Sequence, residues 1–181
     1  MAVLNATAKR FLLALTFLTV CSARAATQGS IDVYEVKAAF LYNFAKFVEW
    51  PREAFKDSND RISICVLGKN PFGSLLAEAV EGKIVGSRKF AVSMLSGASA
   101  AGGCHILFVS APQSKPAKLL LEESKNPYLL TVGESSDFLA GGGMINLKVQ
   151  DSRVRIEINR EAASGAKLRI SSRLLSLAAT D

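Results

Sequence analysis

The segment DVYEVKAAFLYNFAKFVEWP, residues 32–51, decides the fold, because its hydrophobic period, start signal and stop signal all predict one amphipathic helix. Asp32 and Glu35 have the spacing of a capping box, and Pro51 disfavours helical backbone at Trp50 and ends the helix. The face predicted to be buried carries Val36, Ala39, Phe40, Asn43, Phe44 and Phe47. Three phenylalanine rings on one face need a packing partner larger than one neighbouring helix.

Asn43 lies near the centre of that face, where an amide costs free energy unless its donors and acceptor are paired. We expect a core amide bonded to the backbone of a loop. The alternative is an amide that contacts a ligand.

Residues 1–25 have the pattern of a cleaved signal peptide. Lys9 and Arg10 precede an apolar run, residues 11–20, which is too short to span a bilayer as a mature helix. Ala23 and Ala25 then give the small-residue pattern of a signal peptidase site. We therefore expect an exported mature domain, residues 26–181, that functions in the periplasm.

Cleavage would leave 156 of the 181 residues, a length typical of one domain. It would also remove three basic residues and no acidic one, so the net charge would fall from +6 to +3. The remainder has no basic stripe of the kind that binds phosphates, which argues against a nucleic-acid partner.

Two cysteines, Cys65 and Cys104, remain after cleavage in a chain that leaves the reducing cytosol. An even pair in an oxidising compartment is most simply a disulfide. The alternatives are a metal site or a redox-active pair. The two cysteines are not in a C-x-x-C spacing, and the sole histidine, His105, has too few companions for a four-ligand zinc site. We expect no cofactor and no metal.

Short apolar runs alternate with helical segments along the middle of the chain, which predicts an α/β fold with a mainly parallel central sheet flanked by helices. The predicted strands are Ile62–Gly68, Lys83–Val85, Phe90–Met94, Cys104–Ser110 and Tyr128–Val132, and the predicted helices are Ser74–Val80 and Pro116–Ser124.

The C-terminal part changes pattern. Met144–Val149 and Val154–Ile158 alternate between apolar and polar residues and predict an antiparallel hairpin. A short helix over Arg160–Ala166 and a closing helix over Ser171–Ala179 should follow, with a brief extended piece between them. We expect a single domain.

No stretch carries a recognisable catalytic motif. The glycine-rich segment 133–143 follows a strand, but it lacks the Lys-Ser/Thr end of a P-loop and the spaced glycines of a dinucleotide fingerprint. Its glycines predict a turn with left-handed backbone rather than a phosphate cradle. His105 stands in an apolar strand and is expected to be a core histidine, and Ser135 and Ser136 lack a nucleophile-elbow pattern. We expect that the protein is not an enzyme; a cofactorless hydrolase is the distant alternative.

Two separate motifs carry a family resemblance. KAAFLYNFAKFVEWP, residues 37–51, and the segment 156–178, with its strand end IEINR and closing helix ISSRLLSLA, resemble the YfiR/HmsC-like periplasmic proteins. Cys65 and Cys104 fall on strands where the family has a disulfide-forming pair, which supports the same bond here.

The resemblance implies a periplasmic repressor that binds the periplasmic sensory domain of an inner-membrane diguanylate cyclase and so limits cyclic-di-GMP signalling and biofilm formation. It also implies that an outer-membrane OmpA-like lipoprotein can sequester the repressor and that the protein forms a homodimer. The alternative is a small-ligand sensor for another membrane signalling protein, such as a histidine kinase, with its ligand in the crevice at the carboxyl ends of the parallel strands.

A repressor of this kind needs a partly apolar exposed patch. The residues we expect to bind the partner are Ile145, Glu157 and Arg160 on the hairpin, with Leu174 and Leu177 on the last helix. The alternative for the two leucines is ordinary core packing.

Overall fold

The computed structural model describes residues 32–57, 60–111 and 115–178, which belong to one compact unit, Ile31–Asp181. The predicted signal peptide, residues 1–25, lies outside the described residues. The same holds for the first residues of the predicted mature domain.

Helix α1, Val33–Phe47, begins as its sequence predicts, with the Asp32 carboxylate accepting a hydrogen bond from the Tyr34 N–H at 2.8 Å. The helix ends earlier than predicted, because Val48 already has extended backbone. Val48–Glu49 forms a short strand, β1, which pairs antiparallel with Arg169–Ile170 near the C-terminus. A strand pairing distant in sequence therefore replaces the last predicted turn of helix.

The predicted buried face of α1 is wrong in its orientation. The buried residues are Lys37, Ala38, Leu41, Phe44 and Ala45, so that only Phe44 belongs to both the predicted and the observed face. Ala39 is exposed, and Asn43 is half-buried rather than central to the core. The observed face therefore includes the charged side chain of Lys37, whose burial the apolar pattern alone disfavours.

A seven-stranded sheet forms the centre of the protein, in the order β3-β4-β2-β5-β6-β7-β8. Strands β4, β2, β5, β6 and β7 are parallel, and β3 and β8 are antiparallel edge strands. The strands are β2 Ile62–Leu67, β3 Ile84–Val85, β4 Arg88–Leu95, β5 Ile106–Val109, β6 Leu130–Gly133, β7 Ile145–Gln150 and β8 Arg153–Ile158. The predicted α/β fold with a mainly parallel sheet is confirmed.

Helices cover both faces of the sheet. The remaining elements are α2 Leu75–Val80, α3 Ala117–Ser124, α4 Arg160–Gly165, β9 Arg169–Ile170 and α5 Ser172–Ala178, with short 3₁₀ helices at Arg52–Ala54 and Ala98–Gly103. Helices α1, α2, α4 and α5 contribute to one core cluster. Strand β2 contributes Ile64 and Val66 to this cluster. Helix α3 and the second 3₁₀ helix contribute to a second core cluster, to which β2 contributes Cys65 and Leu67. Alternate residues of each central strand are therefore buried on opposite faces.

The predicted C-terminal hairpin is present. Its turn consists of Asp151 and Ser152, which both have positive φ, as two-residue hairpin turns of type I′ require. This turn fixes a register in which Ile145 is opposite Ile158 and Asn146 is opposite Glu157.

The glycine-rich segment after β6 uses its glycines in two ways. Only Gly142 within it has positive φ, so the predicted left-handed backbone is correct for one glycine. Gly133 and Gly143 instead leave room for the buried ring of Phe138, because a Cβ atom on either glycine would lie 2.3 Å from that ring. Close packing, rather than turn geometry, explains these two glycines.

Candidate functional site

The structure contains the predicted disulfide. Cys65 lies in β2 and Cys104 lies just before β5, and their Cα atoms are 6.0 Å apart. Both residues are buried in the core cluster on the α3 face. The bond therefore joins β2 to the residues that lead into the neighbouring strand β5, inside the core.

A buried charge pair, which the sequence reasoning missed, joins α1 to the end of β6. The Lys37 Nζ atom lies 2.5 Å from Glu134 Oε2, and the two side chains are only 4% and 7% exposed. The other carboxylate oxygen of Glu134 accepts a hydrogen bond from the Ala111 N–H at 3.0 Å. Both charges are thus compensated, which burial of an ion pair requires.

Tyr34 packs against the Lys37–Glu134 pair, and the three residues form one charge cluster. The Lys37 ammonium lies 4.8 Å from the centre of the Tyr34 ring, within the range of a cation–π interaction. Burial, and then the negative charge of Glu134, raises the pKa of the Tyr34 hydroxyl above its ordinary value. The phenol therefore stays protonated beside the carboxylate.

The cluster lies at the carboxyl ends of β5 and β6, where the ligand crevice of a sensor was predicted. Phe72, from the loop after β2, is buried there with its ring centre 4.8 Å from that of Phe108 and 5.6 Å from that of Tyr34. These rings and the charge pair fill the space on the α1 face. On the α3 face a cavity of about 170 Å³ remains beside Pro116 and Phe138. On the α1 face, buried side chains of the described residues therefore occupy the position of the expected crevice.

His105 is buried in the core, as predicted. Its Nδ1 atom accepts a hydrogen bond from the Ser63 N–H at 3.1 Å, and its ring stacks on Phe55 with centres 4.4 Å apart. Trp50 packs edge-on against the same ring. Burial lowers the pKa of His105, against a smaller opposite effect from the charge of Asp60.

This lowered pKa predicts a pH dependence of stability. Because His105 is more easily protonated in the unfolded chain, the free energy of unfolding should decrease as the pH falls below the ordinary histidine pKa of 6.5 and towards the lower pKa of the folded state. We expect urea unfolding midpoints to decrease between about pH 7 and about pH 5.5.

His105→Gln is the matched control, since His105 is the only histidine in the chain. Its unfolding midpoint should depend less on pH over the same range. Equal pH dependence of the two proteins would contradict the prediction.

Two of the five predicted partner-binding residues are part of the core. Ile145 and Leu174 are buried in the cluster beneath α1. Neither side chain can contact a partner unless the domain opens, so the expectation that they form a surface patch is corrected. Leu174 is packed in the core, which is the alternative given for it in the sequence analysis.

The other three residues reach the surface at different places. Glu157 is half-buried on β8, where it accepts a hydrogen bond from the Asn146 amide at 3.1 Å. Arg160 is exposed at the start of α4, and Leu177 is exposed on α5. Helix α5 packs on the face of β8 that carries Ile156, whereas Glu157 alternates to the opposite face. The five residues therefore do not form one surface.

The described segments contain no group of three or more His, Cys, Asp or Glu side chains placed to hold a metal ion. Within the same segments, no helix combines the length and the apolar character needed to cross a bilayer.

The sheet order, the strand-to-strand disulfide and the covered faces define a small disulfide-bridged α/β domain. A model of the YfiR/HmsC-like family matches residues 34–179, from the first turn of α1 to the end of α5. The chain belongs to the YfiR/HmsC-like family, which is regulatory rather than catalytic. No curated protein matches the chain significantly.

Proposed function

We propose that this protein is a periplasmic regulator that binds the periplasmic sensory domain of an inner-membrane diguanylate cyclase and represses it. The family match over residues 34–179 is the observation that carries the proposal. Repression would limit cyclic-di-GMP synthesis and biofilm formation. Sequestration by an outer-membrane OmpA-like lipoprotein would release the cyclase.

The proposed location in the periplasm is supported by two features. Residues 1–25 have the sequence pattern of a cleaved signal peptide, and the remaining cysteines, Cys65 and Cys104, form a disulfide. Structural disulfides persist in oxidising compartments and are rare in the cytosol. The proposed mature protein is therefore adapted to the compartment of its proposed partner.

A repressor without chemistry of its own has to act through its surface. Leu177 on α5 is 53% exposed, and Arg160 is exposed on the neighbouring C-terminal helix. Arginine is one of the residue types that anchor protein interfaces, and an exposed leucine adds apolar surface that binding would remove from water. We propose that Leu177 and Arg160 contact the sensory domain, and that Glu157 contributes at the opposite face of the hairpin.

The test is binding of the mature protein to the immobilised sensory domain of a diguanylate cyclase encoded beside it. We expect Leu177→Asp to weaken binding about tenfold or more, because the change places a charge in an apolar contact. Leu119→Asp is the matched control, since Leu119 is 46% exposed but lies on α3, on the other face of the sheet.

Both variants should unfold at about the wild-type temperature, which separates a lost contact from a lost fold. Equal binding by Leu177→Asp and Leu119→Asp would contradict the proposed surface. Absence of binding by the wild-type protein would contradict the proposed function.

One observation favours the alternative of a small-ligand sensor for another membrane protein, such as a histidine kinase. A cleft of about 560 Å³ lies between α3 and α4 and is lined mainly by apolar residues, among them Leu121, Met144, Ala162 and Ala166. This volume is within the range of small-molecule sites. A ligand present at 100 times its Kd should stabilise the protein by about 2.7 kcal/mol, which a thermal-shift screen detects.

A further inference from the structure

One edge of the sheet is open beside a short edge strand. Strand β3 pairs only with Arg88 and Lys89 of β4. Across the parts of the chain that the structure describes, no strand pairs with the outer side of residues 91–95. An unpaired strand edge presents N–H and C=O groups in the spacing that a further strand needs. This open edge, residues 91–95 of β4, can therefore accept an extended peptide.

The composition of the open edge does not protect it against pairing. Residues 91–95, AVSML, include no charge, proline or glycine, and Met94 is 48% exposed. The edge strand at the other end of the sheet, β8, carries Arg153, Arg155 and Glu157. Charged residues of that kind are the usual protection of an edge strand. Of the two sides of the sheet, the open edge of β4 is therefore better suited to accept a strand.

A cavity beside the open edge has room for a side chain of an added strand. It has a volume of about 700 Å³ between α2 and the β3–β4 hairpin, and Ala77, Val80, Phe90 and Val92 form much of its apolar lining. Side chains opposite each other in neighbouring strands point to the same face of the sheet. A residue placed opposite Val92 would therefore direct its side chain towards this cavity, which favours an apolar residue at that position.

Strand β3 closes the open edge at one end. A strand that runs antiparallel to β4 would pass from Leu95 towards Ala91 and then meet Ile84, the first residue of β3, which is paired with Lys89. It could not continue beside β4 beyond that point, because β3 already occupies the edge there. A peptide that ends at this point fits without a bend, and its last group is a free α-carboxylate.

The charges at the closed end suit a carboxylate. Three basic residues line the cavity at the level of this end: Arg61, Lys83 and Lys89. The two acidic residues of the lining, Glu78 and Glu81, lie on α2 and at its C-terminal end. A carboxylate placed at the start of β3 would therefore meet more positive than negative charge, and it would reduce the repulsion between the three cations.

We propose that the open edge of β4 binds the C-terminal segment of another protein as an added antiparallel strand. The occupant is an extended peptide with apolar side chains at alternate positions and a free α-carboxylate at its end. Main-chain hydrogen bonds to residues 91–95 hold this peptide, the cavity takes the apolar side chain opposite Val92, and the three cations bind the carboxylate. The inference goes beyond the proposed repression of a cyclase, since neither Leu177 nor Arg160 takes part in it.

The test measures the binding of fluorescein-labelled peptides to the mature protein by fluorescence anisotropy. The peptides alternate threonine with valine and end in alanine, valine, leucine or phenylalanine, each as the free acid and as the amide. We expect a free acid to bind and its amide to bind about tenfold more weakly, because the amide loses a charge-assisted contact. The variant Lys83→Gln/Lys89→Gln should bind the acid and the amide about equally.

Filling the cavity provides a matched comparison between two exposed alanines on helices. Ala77→Phe on α2 should weaken binding about tenfold, because its ring would occupy the space that the apolar side chain of the peptide needs. Ala39→Phe on α1 should leave binding unchanged, since Ala39 does not line the cavity. Thermal unfolding should show that both variants are folded.

Hydrogen exchange of the segment that contains residues 91–95 tests the strand pairing itself, and its exchange should slow when the free acid is added. Three results would overturn the proposal: no binding by any free acid at about 1 mM, equal binding of acid and amide by the wild type, or binding without protection of residues 91–95. Protection that rises with the concentration of the protein alone would also overturn it, because a second copy would then occupy the edge.

Discussion

Glu134→Gln is expected to destabilise the protein by about 3 to 5 kcal/mol, because it leaves the buried Lys37 ammonium without its counter-charge. The two side chains are almost fully buried, with Lys37 Nζ 2.5 Å from Glu134 Oε2. Glutamine keeps the size of the side chain and an oxygen for the Ala111 N–H. The decrease in stability would therefore measure the effect of removing the negative charge of Glu134. Urea unfolding of the wild type and the variant measures it.

An exposed pair provides the control. Lys115 and Glu123 are also 2.5 Å apart, but both side chains are substantially exposed. Glu123→Gln should change stability by about 1 kcal/mol or less, since solvent screens the pair. The double variant Lys37→Met/Glu134→Gln should recover much of the stability, because it removes both buried charges. If the double variant were destabilised by the sum of the effects of Lys37→Met and Glu134→Gln, this account of the pair would be contradicted.

Loss of the Cys65–Cys104 disulfide should have the second large effect. The bond links residues separated by 39 positions in the chain. In the chain-entropy model, closing a loop of this length stabilises the folded state by about 3 to 4 kcal/mol. We expect the urea unfolding midpoint of the mature protein to fall when dithiothreitol is added.

The variant Cys65→Ser/Cys104→Ser should unfold at about the midpoint of the reduced wild type and should not respond to dithiothreitol. A midpoint of the wild type that is the same with and without dithiothreitol would contradict the prediction. The expected result would mean that the domain reaches its full stability only in an oxidising compartment.

The periodicity of the sequence was sufficient to predict the α/β class, the parallel strands and the hairpin, because each depends on local pattern and turn residues. It was not sufficient for the orientation of α1. The predicted buried face does not include Lys37, yet Glu134, 97 positions further on, compensates its charge inside the protein. A local pattern cannot reveal a partner so distant in the sequence. The periodicity therefore predicted a buried face that differs from the observed one.

The same limit applies to the partner-binding residues. Ile145 and Leu174 have an apolar character that suits both a core and an interface, and only the packing of α1 and α5 on the sheet shows that both are core residues. The order of the strands in the sheet was equally inaccessible, because it depends on contacts between segments that are distant in the sequence. Leu177 was predicted as a surface residue and is exposed, whereas its role in binding stays a prediction.

The most direct test of the proposed regulation is the cyclic-di-GMP content of cells that lack this protein. We predict that the content rises on deletion, returns to the original level with the wild-type gene or Leu119→Asp, and stays high with Leu177→Asp. An unchanged cyclic-di-GMP content in the deletion strain, with the diguanylate cyclase present, would contradict the account.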